Sequence, residues 1–313
     1  MYFPIADITI NPFLPPLVAF VISFFTSMGG VSGAFLLLPF QVSILGFTSP
    51  AVSATNQLFN VVAIPSGIYR YIKEGRMVWP LTWVVIVGTL PGVLIGGLVR
   101  VRYLPDPRNF KMFVGLVLLY IGARLLKDIV AAKRATNGEP SAEEQFSKLV
   151  REFRARQSSE PLPVVKVREF TATTISYDFY GRNFTVNTVF VTTLSFAVGI
   201  VGGVYGIGGG AIVAPFFISI LGLPVYTVAG AALMGTFVTS VAGVIFYQAL
   251  APFYPEMAIA PDWLLGLLFG LGGFGGMYCG ARFQKFMPAN IIKWILAASI
   301  LITAAKYIIS FFS

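Results

Sequence analysis

The chain has 313 residues, 56% of them hydrophobic, a mean hydropathy of +0.80 and only 11% charged residues. Soluble domains carry about 25% charge, so these values exclude an ordinary soluble globule and predict an all-α polytopic membrane protein. One cysteine, Cys279, and no histidine exclude an internal disulfide framework and remove the commonest metal ligand and general base.

No cofactor or metal is therefore expected, and an enzyme is the disfavoured reading. The net charge of +9 is explained by basic membrane loops rather than by nucleic acid. The expected partners are a small anionic substrate and the lipid bilayer, with a homodimer left open.

Residues 1–11 contain no Lys or Arg and include Asp7, unlike a secretory leader. Residues 12–28 are apolar and at most about one bilayer core long. A first glycine turn follows at 29–33. Residues 34–45 would make a helix of roughly 18 Å, too short for a hydrocarbon core of about 30 Å. They read as a half-helix, one arm of a re-entrant hairpin.

After a turn at 46–50, residues 51–69 are long enough to span, yet carry Ser53, Thr55, Asn56, Gln57 and Asn60. A basic loop at 70–76 leads to spans at 78–99 and 110–127, separated by a loop at 100–108. Residues 128–182 are polar and mixed in charge. Ser141 with Glu144 fits a capping box, predicting a surface helix over 142–157. The alternation over 165–180, a turn at 180–183 and the segment beyond predict a small hairpin.

Hydrophobic patterning resumes at 187 and reaches a second glycine turn, Gly202 to Ala211. Residues 211–221 are again short. Spans are expected at 225–250, 263–281 and 291–311. Glycine at this density suits sharp turns or close approach to the backbone, not helix interior.

The halves echo each other. Ser43-Ile44-Leu45-Gly46 recurs as Ser219-Ile220-Leu221-Gly222. At that spacing Gly30 falls on Gly206, Gly33 on Gly209, Pro39 on Pro215, Gly67 on Gly243 and Tyr71 on Tyr247 without a gap. Further on, Gly92 and Gly96 fall on Gly276 and Gly280. Each half crosses an odd number of times, so two inverted repeats are expected. The division is 12–127, a first transmembrane repeat; 128–186, a small cytoplasmic α+β insert; and 187–313, a second transmembrane repeat. One side holds 16 Lys and Arg and the other four, which places the insert in the cytoplasm of a cell-membrane protein. In the short loops alone the count is six against four, a weaker bias.

Two glycine turns, each followed by a proline and a short arm ending in Leu-Gly, together with Val52-Ser53-Ala54-Thr55-Asn56, resemble the TauE/SafE family of membrane transporters. The second half has Val228-Ala229-Gly230-Ala231-Ala232 at the matching place, with Ala231 and Ala232 where that family has Thr and Ser. The resemblance covers both halves but not the insert. It implies passage or export of sulfite and small organosulfonates.

The residues point the same way by themselves. Interrupted helices in inverted repeats place a site near the midplane, and helix N-termini facing each other attract anions. The candidate substrate-binding residues are Ser32, Gly33, Asn56, Gln57, Asn60, Tyr205, Gly208, Gly209, Gly210 and Thr236. The competing roles are tight helix packing for the glycines and interhelical bonding for the amides. The expected function is a transporter, an exporter of a small anion working by alternating access. An anion channel, or a receptor or scaffold acting through the insert, are the alternatives. Gly92/Gly96 and Gly276/Gly280 are read as helix-packing faces, and Arg124 and Lys306 as side chains reaching for the interface.

Overall fold

The computed structural model describes residues 1–28, 31–73, 75, 77–134, 165–179, 182–283 and 289–312. A two-stranded hairpin, β1 (Tyr2–Phe3) and β2 (Ile8–Thr9), opens the chain. The helices of the first half are α1 (Leu14–Met28), α2 (Ala34–Ser43), α3 (Ala51–Ala63), α4 (Pro65–Lys73), α5 (Trp79–Arg102) and α6 (Pro107–Arg134). Strands β3 (Lys166–Phe170), β4 (Thr174–Phe179) and β5 (Arg182–Asn187) follow. The second half contains α7 (Thr188–Tyr205), α8 (Gly210–Ile220), α9 (Val225–Leu250), α10 (Trp263–Phe283) and α11 (Ala289–Phe312). Among the described residues five helices are long and apolar enough to cross a membrane, which makes this a polytopic membrane protein.

α2 and α8 have 10 and 11 residues, about half of what a crossing needs. The span expected over 51–69 is instead divided at Ile64. Pro65 has no N–H and its ring collides with the carbonyl four residues back, so α3 stops and α4 restarts with Pro65 at its first position. The helix expected over 142–157 lies outside the described residues. The expected hairpin is a three-stranded antiparallel sheet, because a further turn at 171–173 folds β3 back onto β4. Arg100 and Arg102, expected in a loop, belong to the last turn of α5.

Two faces can be distinguished by what touches what. On the N-terminal face, Ala51 N–H donates to Ala258 O (3.0 Å), Ala6 N–H to Asp262 Oδ2 (3.3 Å) and Asp262 N–H to Thr55 Oγ1 (2.9 Å). On the opposite, sheet face, Val165 N–H donates to Gly75 O (3.2 Å) and Tyr177 lies 3.0 Å from Thr227 Oγ1. α7 starts from the sheet face, where Asn187 caps it by accepting from Phe190 N–H (2.9 Å).

The long helices are locked together by glycine. α5 runs parallel to α7, and a Cβ at Gly92 would sit 2.4 Å from Phe196 O and one at Gly96 2.3 Å from Ile200 O. α10 runs parallel to α1 in the same manner: a Cβ at Gly276 would meet Phe20 O at 2.3 Å and one at Gly280 Phe24 O at 2.2 Å. Small residues allow this close backbone approach, which replaces the hydrophobic driving force that lipid does not supply. α6 packs along α11, and α3 and α9 lie at the centre between these pairs.

The sheet is fastened to the helical body. Ile175, Tyr177, Phe179 and Val186 are buried and continuous with the main core. Thr227 Oγ1 donates to Pro224 O (2.9 Å), so its bond to Tyr177 is donated by the phenol. Burial pushes the Tyr177 phenol up to about 12.

Two outcomes are expected. Gly92→Val and Gly276→Val should each lower stability by about 1–3 kcal/mol, because backbone carbonyls cannot move aside. Gly275→Ala, whose Cβ would meet only the Phe20 ring at 3.4 Å, should be neutral or stabilising by thermal unfolding in detergent. The raised Tyr177 value stabilises the docked sheet fully below the free phenol value of about 10. That contribution is lost as pH rises towards 12. Hydrogen exchange of residues 174–187 should accelerate over that window in the wild type, and Tyr177→Phe should remove the step.

Candidate functional site

The two glycine turns meet at the centre of the molecule. α3 is buried along most of its length, including Ser53, Thr55, Asn56, Gln57 and Asn60. Asn56 and Asn60, one turn apart, look toward both turns. Asn56 Nδ2 donates to Ala34 O at the start of α2 (3.0 Å) and to Gly206 O in the second turn (3.0 Å). Its Oδ1 accepts from Gln41 Nε2 (3.2 Å). Asn60 Nδ2 donates to Ile207 O (3.0 Å) and Ser240 Oγ (3.3 Å), and its Oδ1 accepts from Ser32 Oγ (2.6 Å). Ser32 Oγ in turn accepts Ala34 N–H (3.3 Å). Three of the four amide hydrogens of the two asparagines are thus engaged by carbonyls at the ends of broken helices, and the fourth by Ser240 of α9.

The second turn owes its path to glycine. Gly206 (φ +82°) and Gly208 (φ +76°) are left-handed, and a Cβ at Gly206 would strike the backbone of Ser53 at 2.5 Å. Gly208 is followed by Gly209 in the right-handed helical region (φ −69°, ψ −39°). Alternating handedness of this kind turns successive N–H groups toward one concave side, an anion-attracting arrangement. Neither Gly33 nor Gly209, at the N-caps of α2 and α8, offers a side-chain oxygen to its helix. Gly209 N–H donates to Thr239 Oγ1 (3.2 Å). Gly209 abuts Thr89 of α5, and Gly210 abuts Ala232 O and Thr236 of α9.

Tyr205 has a role that follows from proline chemistry. Pro39 inside α2 has no N–H for the carbonyl of Phe35, four residues back. The buried Tyr205 hydroxyl donates to that carbonyl at 2.7 Å. One half's last helical residue thereby completes the other half's broken helix.

Of the ten residues singled out from sequence, Ser32, Asn56, Asn60, Tyr205, Gly208, Gly209, Gly210 and Thr236 gather around the two turns. Thr236 Oγ1 is spent on Ala232 O (2.8 Å). Gly33 leans on α1, where a Cβ would meet Ser23 Oγ at 2.9 Å. Gln57 points away from the turns, toward Gly243 of α9. Gln41, Thr89, Thr239 and Ser240 also touch the turns or their asparagines and are not among those ten. Gln41 carried a legible signal, being a polar residue in an otherwise apolar half-helix. Among the described residues the buried charged groups are Arg100 and Asp262, and no group of three or more potential metal ligands occurs.

Comparison with protein families matches residues 16–307 to the family described as sulfite exporter TauE/SafE. No curated protein and no solved structure matches the chain.

Removing the Tyr205 hydroxyl by Tyr205→Phe should cost about 1–3 kcal/mol, the penalty of an unsatisfied buried carbonyl. Pro39→Ala restores an N–H beneath that carbonyl. The double variant should recover most of the loss, giving a coupling of about 1 kcal/mol or more in a thermal-unfolding cycle.

Proposed function

The chain belongs to the TauE/SafE sulfite exporter family, a family of membrane transporters, and from that premise we propose that it carries a small oxyanion, sulfite or an organosulfonate, by alternating access around the two glycine turns. The observation that carries this reading is the convergence of both turns on Asn56 and Asn60. Two half-helix N-termini, two left-handed glycines and two bridging amides provide neutral donors and partial positive charge without a fixed counter-ion. An oxyanion held in this way can also be released.

The reading takes the two halves as inverted repeats. Three facts support it. α5 starts from the sheet face, whereas its counterpart α10 starts from the N-terminal face. Gly92 and Gly96 meet the carbonyls of Phe196 and Ile200, just as Gly276 and Gly280 meet those of Phe20 and Phe24. Phe20 and Phe24 are the repeat counterparts of Phe196 and Ile200, at the spacing that relates Ser43 to Ser219. α1 and α7 lead to their turns from opposite faces, and α2 and α8 return to the faces they came from.

In this arrangement the anion would compete with carbonyls for the asparagine amides. Binding would loosen the Asn56–Gly206 and Asn60–Ile207 bonds and free one repeat to rock against the other. The sheet face is assigned to the cytoplasm from its excess of Lys and Arg, and the membrane to the cell membrane.

Purified protein in proteoliposomes should show saturable sulfite uptake. Asn60→Ala and Gly209→Leu should each reduce the rate at least about tenfold, equivalent to about 1.4 kcal/mol, in protein that remains folded. Wild-type rates in both variants would refute the site. Flux that rises linearly with sulfite concentration, without saturation, would replace the carrier with a channel.

A further inference from the structure

The packing of α3 and α5 against α9 leaves a file of polar atoms that the turns do not use. Ser53 and Gln57 are one helical turn apart on α3, and Gly243 and Tyr247 one turn apart on α9. A Cβ at Gly243 would fall 1.7 Å from Gln57 Oε1, so the amide lies flat on that glycine. Ser53 Oγ, Gln57 Nε2, Gln57 Oε1 and the Tyr247 hydroxyl are buried without a hydrogen-bond partner. The Tyr247 hydroxyl neighbours Ser53 without reaching bonding geometry and lies within electrostatic reach of Arg100. On α5, Gly97, one turn before Arg100, lies against the Tyr247 ring, where a Cβ would be 3.6 Å from Cζ.

Arg100 is 0% exposed. Its guanidinium donates to the carbonyls of Leu104 and Thr48, the latter at 3.4 Å, and sits 3.7 Å from the centroid of the Phe110 ring. Its Nε is buried and unpartnered. Among the described residues no carboxylate pairs with it. Asp262, the other buried charge, is occupied by the N–H groups of Ala6 and Leu265. A guanidinium remains protonated at any working pH. A buried cation is costly unless an opposite charge or a full set of acceptors compensates it, and two carbonyls and a ring compensate this one only in part.

We propose that Arg100, Tyr247, Ser53 and Gln57 form a binding subsite for a small oxyanion, running from beside the second glycine turn toward the N-terminal face. The Nε–H, the Gln57 amide and two hydroxyls free to donate are the donor set that a sulfite- or sulfate-sized anion requires. The file adjoins features relevant to a path. At its outer end a cavity of about 340 Å³ opens beside Pro4, Ile5 and Glu256; of its walls, Ile259 shares a buried cluster with Tyr247, Val101 and Ala54, and Ala251 and Met257 pack against that cluster. Beside the turns, Ser53 backs directly onto Gly206 of the second turn. The role of the subsite as a station on a transport path rests on the transport reading; its capacity to bind an oxyanion does not.

The test is thermal unfolding of the purified full-length protein in detergent, titrated with sulfite under nitrogen and, separately, with sulfate, against a gluconate background. Wild-type Tm should rise with anion concentration, as binding to the folded state requires. Arg100→Met should keep or raise the anion-free Tm, since an apolar side chain replaces a buried charge. It should raise the anion concentration for half-maximal effect at least about tenfold, and Arg100→Lys should fall between.

A lower anion-free Tm in Arg100→Met with an unchanged anion response would overturn the proposal and make Arg100 a staple for Thr48 and Leu104. A wild type indifferent to both anions would overturn it too. If Arg100→Met does not fold, Gln57→Leu and Tyr247→Phe decide by the same readout, and unchanged half-saturation in both sinks the subsite. Anion-dependent stabilisation that requires Arg100 in a protein with no proteoliposome flux would uphold the subsite while removing the transport reading.

Discussion

A helix broken inside a membrane must find partners for its exposed carbonyls, and in this protein two asparagine side chains supply them. The bilayer offers no water to do so, and each orphan group there costs several kcal/mol. Asn56 spans the start of one half-helix and the turn before the other with a single amide. Asn60 repeats the arrangement one helical turn further along, adding Ser32 and Ser240. Tyr205 closes the remaining gap, the carbonyl stranded by Pro39. Glycine and proline make the breaks, and the asparagines are tolerated in a membrane because carbonyls at the breaks take three of their four amide hydrogens.

The surrounding helices provide a stiff frame for this centre. Glycines spaced by four on α5 and α10 bring backbones into contact with α7 and α1, so that each half's long helix grips the arm leading to the other half's turn. On the proposed transport reading, rocking of such a frame would move one turn relative to the other and exchange the asparagine bonds. The centre is neutral, and the buried cation lies to one side, under the N-terminal face. Neutral donors at the turns and a fixed charge beside them would separate holding an anion from attracting it.

The glycine turns, the short arms and the polar stripe of α3 were legible because composition and spacing report them directly. The shortness of α2 and α8 followed from residue counts against bilayer thickness, and the packing role of Gly92, Gly96, Gly276 and Gly280 from their interval of four. What Gln57 faces was not legible. It adjoins Asn56 in sequence, but neighbours on a helix point about 100° apart, and only the position of α9 shows that Gln57 lies on Gly243. The division of α3 from α4 is signalled by Pro65, but the apolar run continues across it. Arg100 looked like a loop residue because the apolar run ends at Val99. Its continuation of the Gly92–Gly96 stripe was the available clue.

The sequence by itself determined that the chain crosses a membrane, where the two glycine turns break it and which residue types can line those breaks. These depend on local quantities: hydropathy, helix rise, the missing Cβ of glycine and the missing N–H of proline. Tertiary structure alone decided which donors are occupied and which are free. Asn56 and Asn60 each give one amide hydrogen to a carbonyl about 150 residues away in the chain, while Gln57, Ser53, Tyr247 and the Nε of Arg100 are left without partners. A hydrogen bond depends on the position of its second partner, and here that partner lies in the other half of the chain.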